Sequence, residues 1–100
     1  MSRYTVYVTP RTLREINDLP GNVRQRIRYA IGQLADNPRP SNSKQLVVPA
    51  FERELRRLRL DRWRIVYAIT DTDAVVDILT VRKRPPYDYG DLAQLLEDAR

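Results

Sequence analysis

The chain has no cysteine and no histidine, and it holds only three glycines, one methionine, one tryptophan and one phenylalanine in 100 residues. Without cysteine there are no disulfides, no thiolate nucleophile and no sulfur-ligated zinc or iron–sulfur site. Without histidine the usual general base and the commonest metal ligand are missing as well. A reducing, cytoplasmic setting and a metal-free, cofactor-free chemistry are the expectations. No stretch approaches the roughly 18 consecutive apolar residues of a membrane span, and Met1 to Pro10 has no apolar run of signal-peptide length.

What is abundant is arginine. Lys+Arg number 18 against 13 Asp+Glu, for a net charge of +5, and the only two lysines are Lys44 and Lys83. Arginine's planar fork suits bidentate contacts to phosphate, whereas lysine acts as a point charge. A GC-rich genome would also enrich arginine, so its position in the chain must decide. Hydrophobic residues at 42% are globular proportions, and the length fits one domain spanning 1–100.

Alternation of Tyr4, Val6 and Val8 predicts a strand, closed at Thr9-Pro10 where a helix can start, and that helix runs to about Asp18. After Leu19-Pro20-Gly21 the apolar residues Val23, Ile27, Ala30, Ile31 and Leu34 recur at the helical period. Two prolines in Asn37-Pro38-Arg39-Pro40-Ser41 end this second helix, and a loop through Lys44 follows. From about Arg53 the period becomes two. A turn at Asp61-Arg62 sets Leu60 opposite Trp63 and aligns Leu58, Leu60, Trp63, Ile65, Tyr67 and Ile69 on one face. Asp71-Thr72-Asp73 is a second turn, Val75 to Arg82 a third strand of this group, and Asp91 to Ala99 a short C-terminal helix. The expected fold class is α+β: a strand, a helical hairpin, an antiparallel three-strand meander and a terminal helix. The helices lie on one face of the sheet and leave the other free to work.

That second face carries Arg57 and Arg59, with Arg64 directly across from Arg59. Like charges opposed across a strand pair cost stability, so their convergence points to an anionic ligand; a solvated polar face is the plainer reading. Arg82 and Arg84 share the parity of Thr80 and extend the patch. Lys83 points the other way but is kept among the phosphate-binding candidates with Arg57, Arg59 and Arg82. Arg53, Arg56 and Arg62 add local density. Tyr87 and Tyr89 follow at once, each able to stack on a base or exchange a proton, or to pack over the sheet edge. No Gly-rich phosphate loop, Ser/His/Asp set or acid/base carboxylate pair competes with this site.

The ordered set Arg57-Leu58-Arg59-Leu60-Asp61, Trp63-Arg64-Ile65-Val66-Tyr67 and Val81-Arg82-Lys83-Arg84 followed by a Tyr resembles the RelE/ParE superfamily of bacterial toxin–antitoxin toxins, on the RelE side. Leu19-Pro20, Ile31 to Pro40 and Lys44-Gln45-Leu46 add to the likeness. The resemblance implies an endoribonuclease that enters the ribosomal A site and cleaves mRNA there without metal. It gives Arg57 and Arg59 the place of the basic pair before the hairpin, Arg64 that of the hairpin arginine and Arg84 that of the arginine ending the last strand. The catalytic tyrosine falls at Tyr87 or Tyr89. It also implies a cognate antitoxin with an acidic segment, and the basic face independently predicts an acidic partner. Two alternatives stand beside this: a ParE-like inhibitor of DNA gyrase, and a non-catalytic basic module that binds RNA.

Overall fold

The computed structural model describes residues 3–47 and 52–83; the expected C-terminal helix, Arg84, Tyr87 and Tyr89 lie outside them. The described elements are β1 (Thr5–Val8), α1 (Pro10–Asn17), α2 (Gly21–Gln33), β2 (Ser43–Leu46), β3 (Glu54–Leu60), β4 (Trp63–Thr70) and β5 (Val75–Lys83). None of these helices is long and apolar enough to cross a membrane.

Thr9 starts α1 as anticipated: its Oγ1 accepts from the Thr12 backbone N–H at 3.2 Å, and Pro10 takes the first helical turn. The strands form one sheet in the order β1-β5-β4-β3-β2. β1 runs parallel to β5, and the remaining neighbours are antiparallel. The meander is therefore three strands of a five-stranded mixed sheet. β2 occupies the segment expected as loop, because Ser43 to Leu46 pairs with Leu58 to Leu55.

Residues of α2 and of the sheet interlock on one face. Ile27, Leu34, Ile65, Tyr67, Val76 and Ile78 are each at most 1% exposed, and Leu60 and Trp63 pack against this core from the hairpin end. The Tyr67 hydroxyl donates to the Pro38 carbonyl at 2.7 Å, which pins the Pro-rich connection to the middle of the sheet. Burial pushes this phenol's pKa up.

Two details shape the rest. β5 reads Ile78↔Tyr67 but Thr80↔Val66, so Leu79 is an extra residue, a β-bulge. Val76 and Ile78 face the helices; past the bulge the parity flips, and Val81 joins them while Arg82 turns to the other side. The second detail concerns β5 beyond the end of β1, where no strand among the described residues covers its edge. There the Glu15 carboxylate of α1 accepts from the Val81 N–H at 3.1 Å and from Thr80 Oγ1 at 3.0 Å. Thr12 Oγ1 donates to the Ile78 carbonyl at 3.3 Å. A helix side chain thus satisfies groups that would otherwise invite another strand.

The second face is not open throughout. Leu55, Val66, Ala68, Asp77 and Thr80 on it are buried, as expected where a strand such as β4 is apolar on both faces. Arg53 crosses this side to bond Thr70 Oγ1 at 3.1 Å and to pair with the buried Asp77 carboxylate. At the far end of the sheet Arg39 bridges Glu54 at 2.8 Å and Asp71 at 2.9 Å, and Tyr4 donates to Asp71 at 2.7 Å.

Ile27 has no exposed surface, so Ile27→Ala should cost about 2–5 kcal/mol in urea unfolding. Hydrogen bonding from Arg39, with a second contribution from Arg56, holds the Glu54 carboxyl below its ordinary value of 4.5. A depressed folded-state value means stability that is present above pH 4.5 and fades as pH falls through the lowered value. Glu54→Gln should therefore be less stable than wild type at pH 7, and unfolding at pH 3 should show a smaller gap.

Candidate nucleic-acid interface

The β3–β4 hairpin sets the site. Its turn places Asp61 at φ 53°, a left-handed conformation that Asp tolerates better than most residues, and Leu60 faces Trp63 across it. The next pair is Arg59↔Arg64, and Arg64 is in turn paired with Arg82 on β5. Three arginines on three adjacent strands form one transverse row. The row below it reads Lys44↔Arg57↔Val66↔Thr80. Arg82 is in the row only because Leu79 is bulged.

Arg64 is the buried member at 3% exposure. Its Nη1 donates to the carbonyls of Asp61 at 2.7 Å and Trp63 at 2.8 Å, so the turn that creates the register also holds the guanidinium. From outside, Arg26 of α2 grips the Asp61 carboxylate at 2.6 Å. On the other flank Asn42 and Arg59 bond reciprocally: the Arg59 N–H donates to the Asn42 carbonyl, and Asn42 Nδ2 to the Arg59 carbonyl, both at 2.9 Å. Ser43, buried beside them, donates to the Pro40 carbonyl at 2.7 Å and accepts from Arg56 Nε at 3.0 Å.

These elements enclose a pocket of about 380 Å³ lined by Ser41, Asn42, Ser43, Lys44, Arg57, Arg59 and Arg64, with no carboxylate among them. Four cations and three small polar residues around one hollow can bind phosphate oxygens and stabilise negative charge that builds on them. Arg59, Lys44 and Arg64 have no carboxylate partner among the described residues. The other arginines of the segment are placed differently. Arg53 is paired with Asp77, Arg56 with Glu54 at 3.1 Å, and Arg62 is exposed in the turn. Lys83 stands opposite Trp63, on the face away from Arg64 and Arg82.

Of the candidate residues, Arg57, Arg59 and Arg64 share the pocket and Arg82 extends their row; Arg84, Tyr87 and Tyr89 fall outside the described residues. Lys44, Asn42 and the two serines were not anticipated. The signal for them is weak: Ser43 to Leu46 alternates over only four residues, with one large apolar side chain.

A sequence model described as the ParE toxin of the type II toxin–antitoxin system parDE matches residues 6–85. The chain belongs to the RelE/ParE superfamily of type II toxins. Its fold is that of RelE. The toxin is similar, at 23% identity and a TM-score of 0.75, to the archaeal RelE of the RelE–RelB complex from Pyrococcus horikoshii OT3, over 85% of this chain and 99% of that one. It is 28% identical, with a TM-score of 0.67, to a chain of the RelBE2 toxin–antitoxin complex from Mycobacterium tuberculosis, covering 84% and 94%. Isolated E. coli RelE toxin aligns at 22% identity and a TM-score of 0.68 over 93% and 98%. A search of curated proteins gives no match.

Relieving the Arg59–Arg64 opposition should stabilise the toxin while weakening its hold on phosphate. Arg59→Thr is expected to gain about 0.2–1 kcal/mol in urea unfolding. It should also bind a single-stranded RNA probe more weakly, with a salt slope shallower by about 0.7 if one phosphate contact is lost.

Proposed function

We propose that this toxin is a ribosome-dependent mRNA endoribonuclease that stops translation by cutting mRNA in the ribosomal A site. The observation that carries the reading is the row Arg59–Arg64–Arg82 with Arg57 and Lys44 beside it, assembled at the cost of like-charge repulsion around a pocket without acids. Cleavage by attack of a 2′-hydroxyl on the neighbouring phosphate requires stabilisation of the charge added to phosphorus, and fixed guanidinium donors supply it. Arg64, locked by the turn carbonyls, and Arg84 hold the scissile phosphate. Arg57, Arg59 and Arg82 clamp the adjoining backbone, and Tyr87 or Tyr89 serves as base or stacking platform. Guanidinium groups do not give up protons, so the arginines take no part in proton transfer.

The toxin's partner is a cognate antitoxin whose acidic segment covers this face, consistent with the net charge of +5 and with the RelE–RelB assemblies of its relatives. The ParE match favours a second reading, inhibition of DNA gyrase by the same fold.

Purified toxin incubated with ribosomes and mRNA should yield discrete cuts in the A-site codon. Arg64→Ala should lower the rate by about 100-fold or more, and Arg57→Ala should lower it too. A gyrase supercoiling assay run beside it should show no inhibition. Intact mRNA together with inhibited supercoiling would replace the first reading with the second.

A further inference from the structure

We propose that Lys44 is a catalytic residue of this site, the acid that protonates the departing 5′-oxygen. The inference rests on the endoribonuclease reading and names a group that the arginines cannot replace.

Of the four cations lining the pocket, three are guanidinium groups that keep their protons. Lys44 is the fourth, and its ammonium can release one. The serines are less suited: a hydroxyl is a far weaker acid than an ammonium, and Ser43 is buried with its Oγ already donating to Pro40.

Position supports the role. β2 pairs Lys44 with Arg57, so their side chains rise from one face of adjacent strands with Cβ atoms roughly 5 Å apart. The strand itself is fixed from both ends of the turn before it. Arg56 binds Ser43 through Nε to Oγ at 3.0 Å and through Nη2 to the carbonyl at 3.3 Å, and Asn42 and Arg59 exchange bonds at 2.9 Å. Lys44 is exposed at the pocket rim and pairs with no carboxylate among the described residues, so its ammonium is available to a ligand.

The step balances without a co-reactant. The 2′-oxygen forms a bond to phosphorus as the bond from phosphorus to the 5′-oxygen breaks. The 2′-hydroxyl proton passes to the base of the reaction, or to water where the tyrosine only stacks, and a Lys44 ammonium proton passes to the 5′-oxygen. The amine then regains a proton from water, leaving a 2′,3′-cyclic phosphate and a 5′-hydroxyl.

The test compares wild type, Lys44→Arg and Arg64→Ala on ribosomes loaded with ordinary mRNA, or with mRNA in which sulfur replaces the scissile 5′-oxygen. A thiolate leaves without needing a proton. Lys44→Arg keeps the charge, so its KM should stay within about threefold of wild type while kcat falls about 100-fold, the usual weight of a general acid. On the sulfur-containing mRNA that deficit should disappear, whereas the deficit of Arg64→Ala should persist. Wild-type kcat in Lys44→Arg, or a deficit equally large on both messages, overturns the assignment and leaves Lys44 as a binding charge only. Absence of cutting by wild type overturns the endoribonuclease reading and this proposal with it, an outcome visible before any variant is compared.

Discussion

Everything in the arginine face depends on the register of one hairpin. Strand side chains alternate with a period of two, so a one-residue slip of β3 would send Arg57 and Arg59 into the core and Leu58 out of it, and a slip of β4 would do the same to Arg64 and Ile65. The two-residue turn fixes that register, and Asp61 adopts its left-handed backbone to make it. Arg64 then bonds the turn carbonyls, so the charge that the register exposes to repulsion also helps to hold the register in place. β4 is apolar on both faces and adds little to this choice; the alternation of β3, with Leu58 in the core and Arg57 and Arg59 opposite, carries it.

The molecule separates structural arginines from those left for ligand. At the far end of the sheet Arg39, Arg53 and Arg56 are all engaged with Glu54, Asp71 or Asp77. Towards the hairpin no acid among the described residues lines the pocket, and the Asp61 carboxylate of the turn pairs with Arg26. The pocket gathers Lys44, Arg57, Arg59 and Arg64 with no acid in its lining, so the local field exceeds what a net charge of +5 spread over the chain would give.

Much of this was legible in the chain. The Leu60–Trp63 hairpin, the Thr9-Pro10 helix start, the helical stripe from Val23 to Leu34 and the facing of Arg59 by Arg64 each follow from local periodicity or turn chemistry. Three things did not. β2 has four residues and one large apolar side chain, too short for a pattern. The bulge at Leu79 hides in Val75 to Val81, where five of seven residues are apolar and the one trace is the odd spacing of Asp77 and Thr80, which share a face. The partners of Arg53 and Arg56 lie 24 and 13 residues away, at Asp77 and Ser43, and only the folded sheet brings them together. The candidate site was legible as a set of arginines, yet its wall of Ser41, Asn42, Ser43 and Lys44 was not.

The parallel pairing of β1 with β5 joins the first strand of the chain to the last described one. Arg82 completes the transverse row from that same final strand. Synthesis runs from the N-terminus, so a partly made chain holds the hairpin arginines but neither the sheet that aligns them nor the third member of their row. Alignment of the basic row thus waits for β5, and a nascent chain that has not yet reached Val75 holds the hairpin arginines without it.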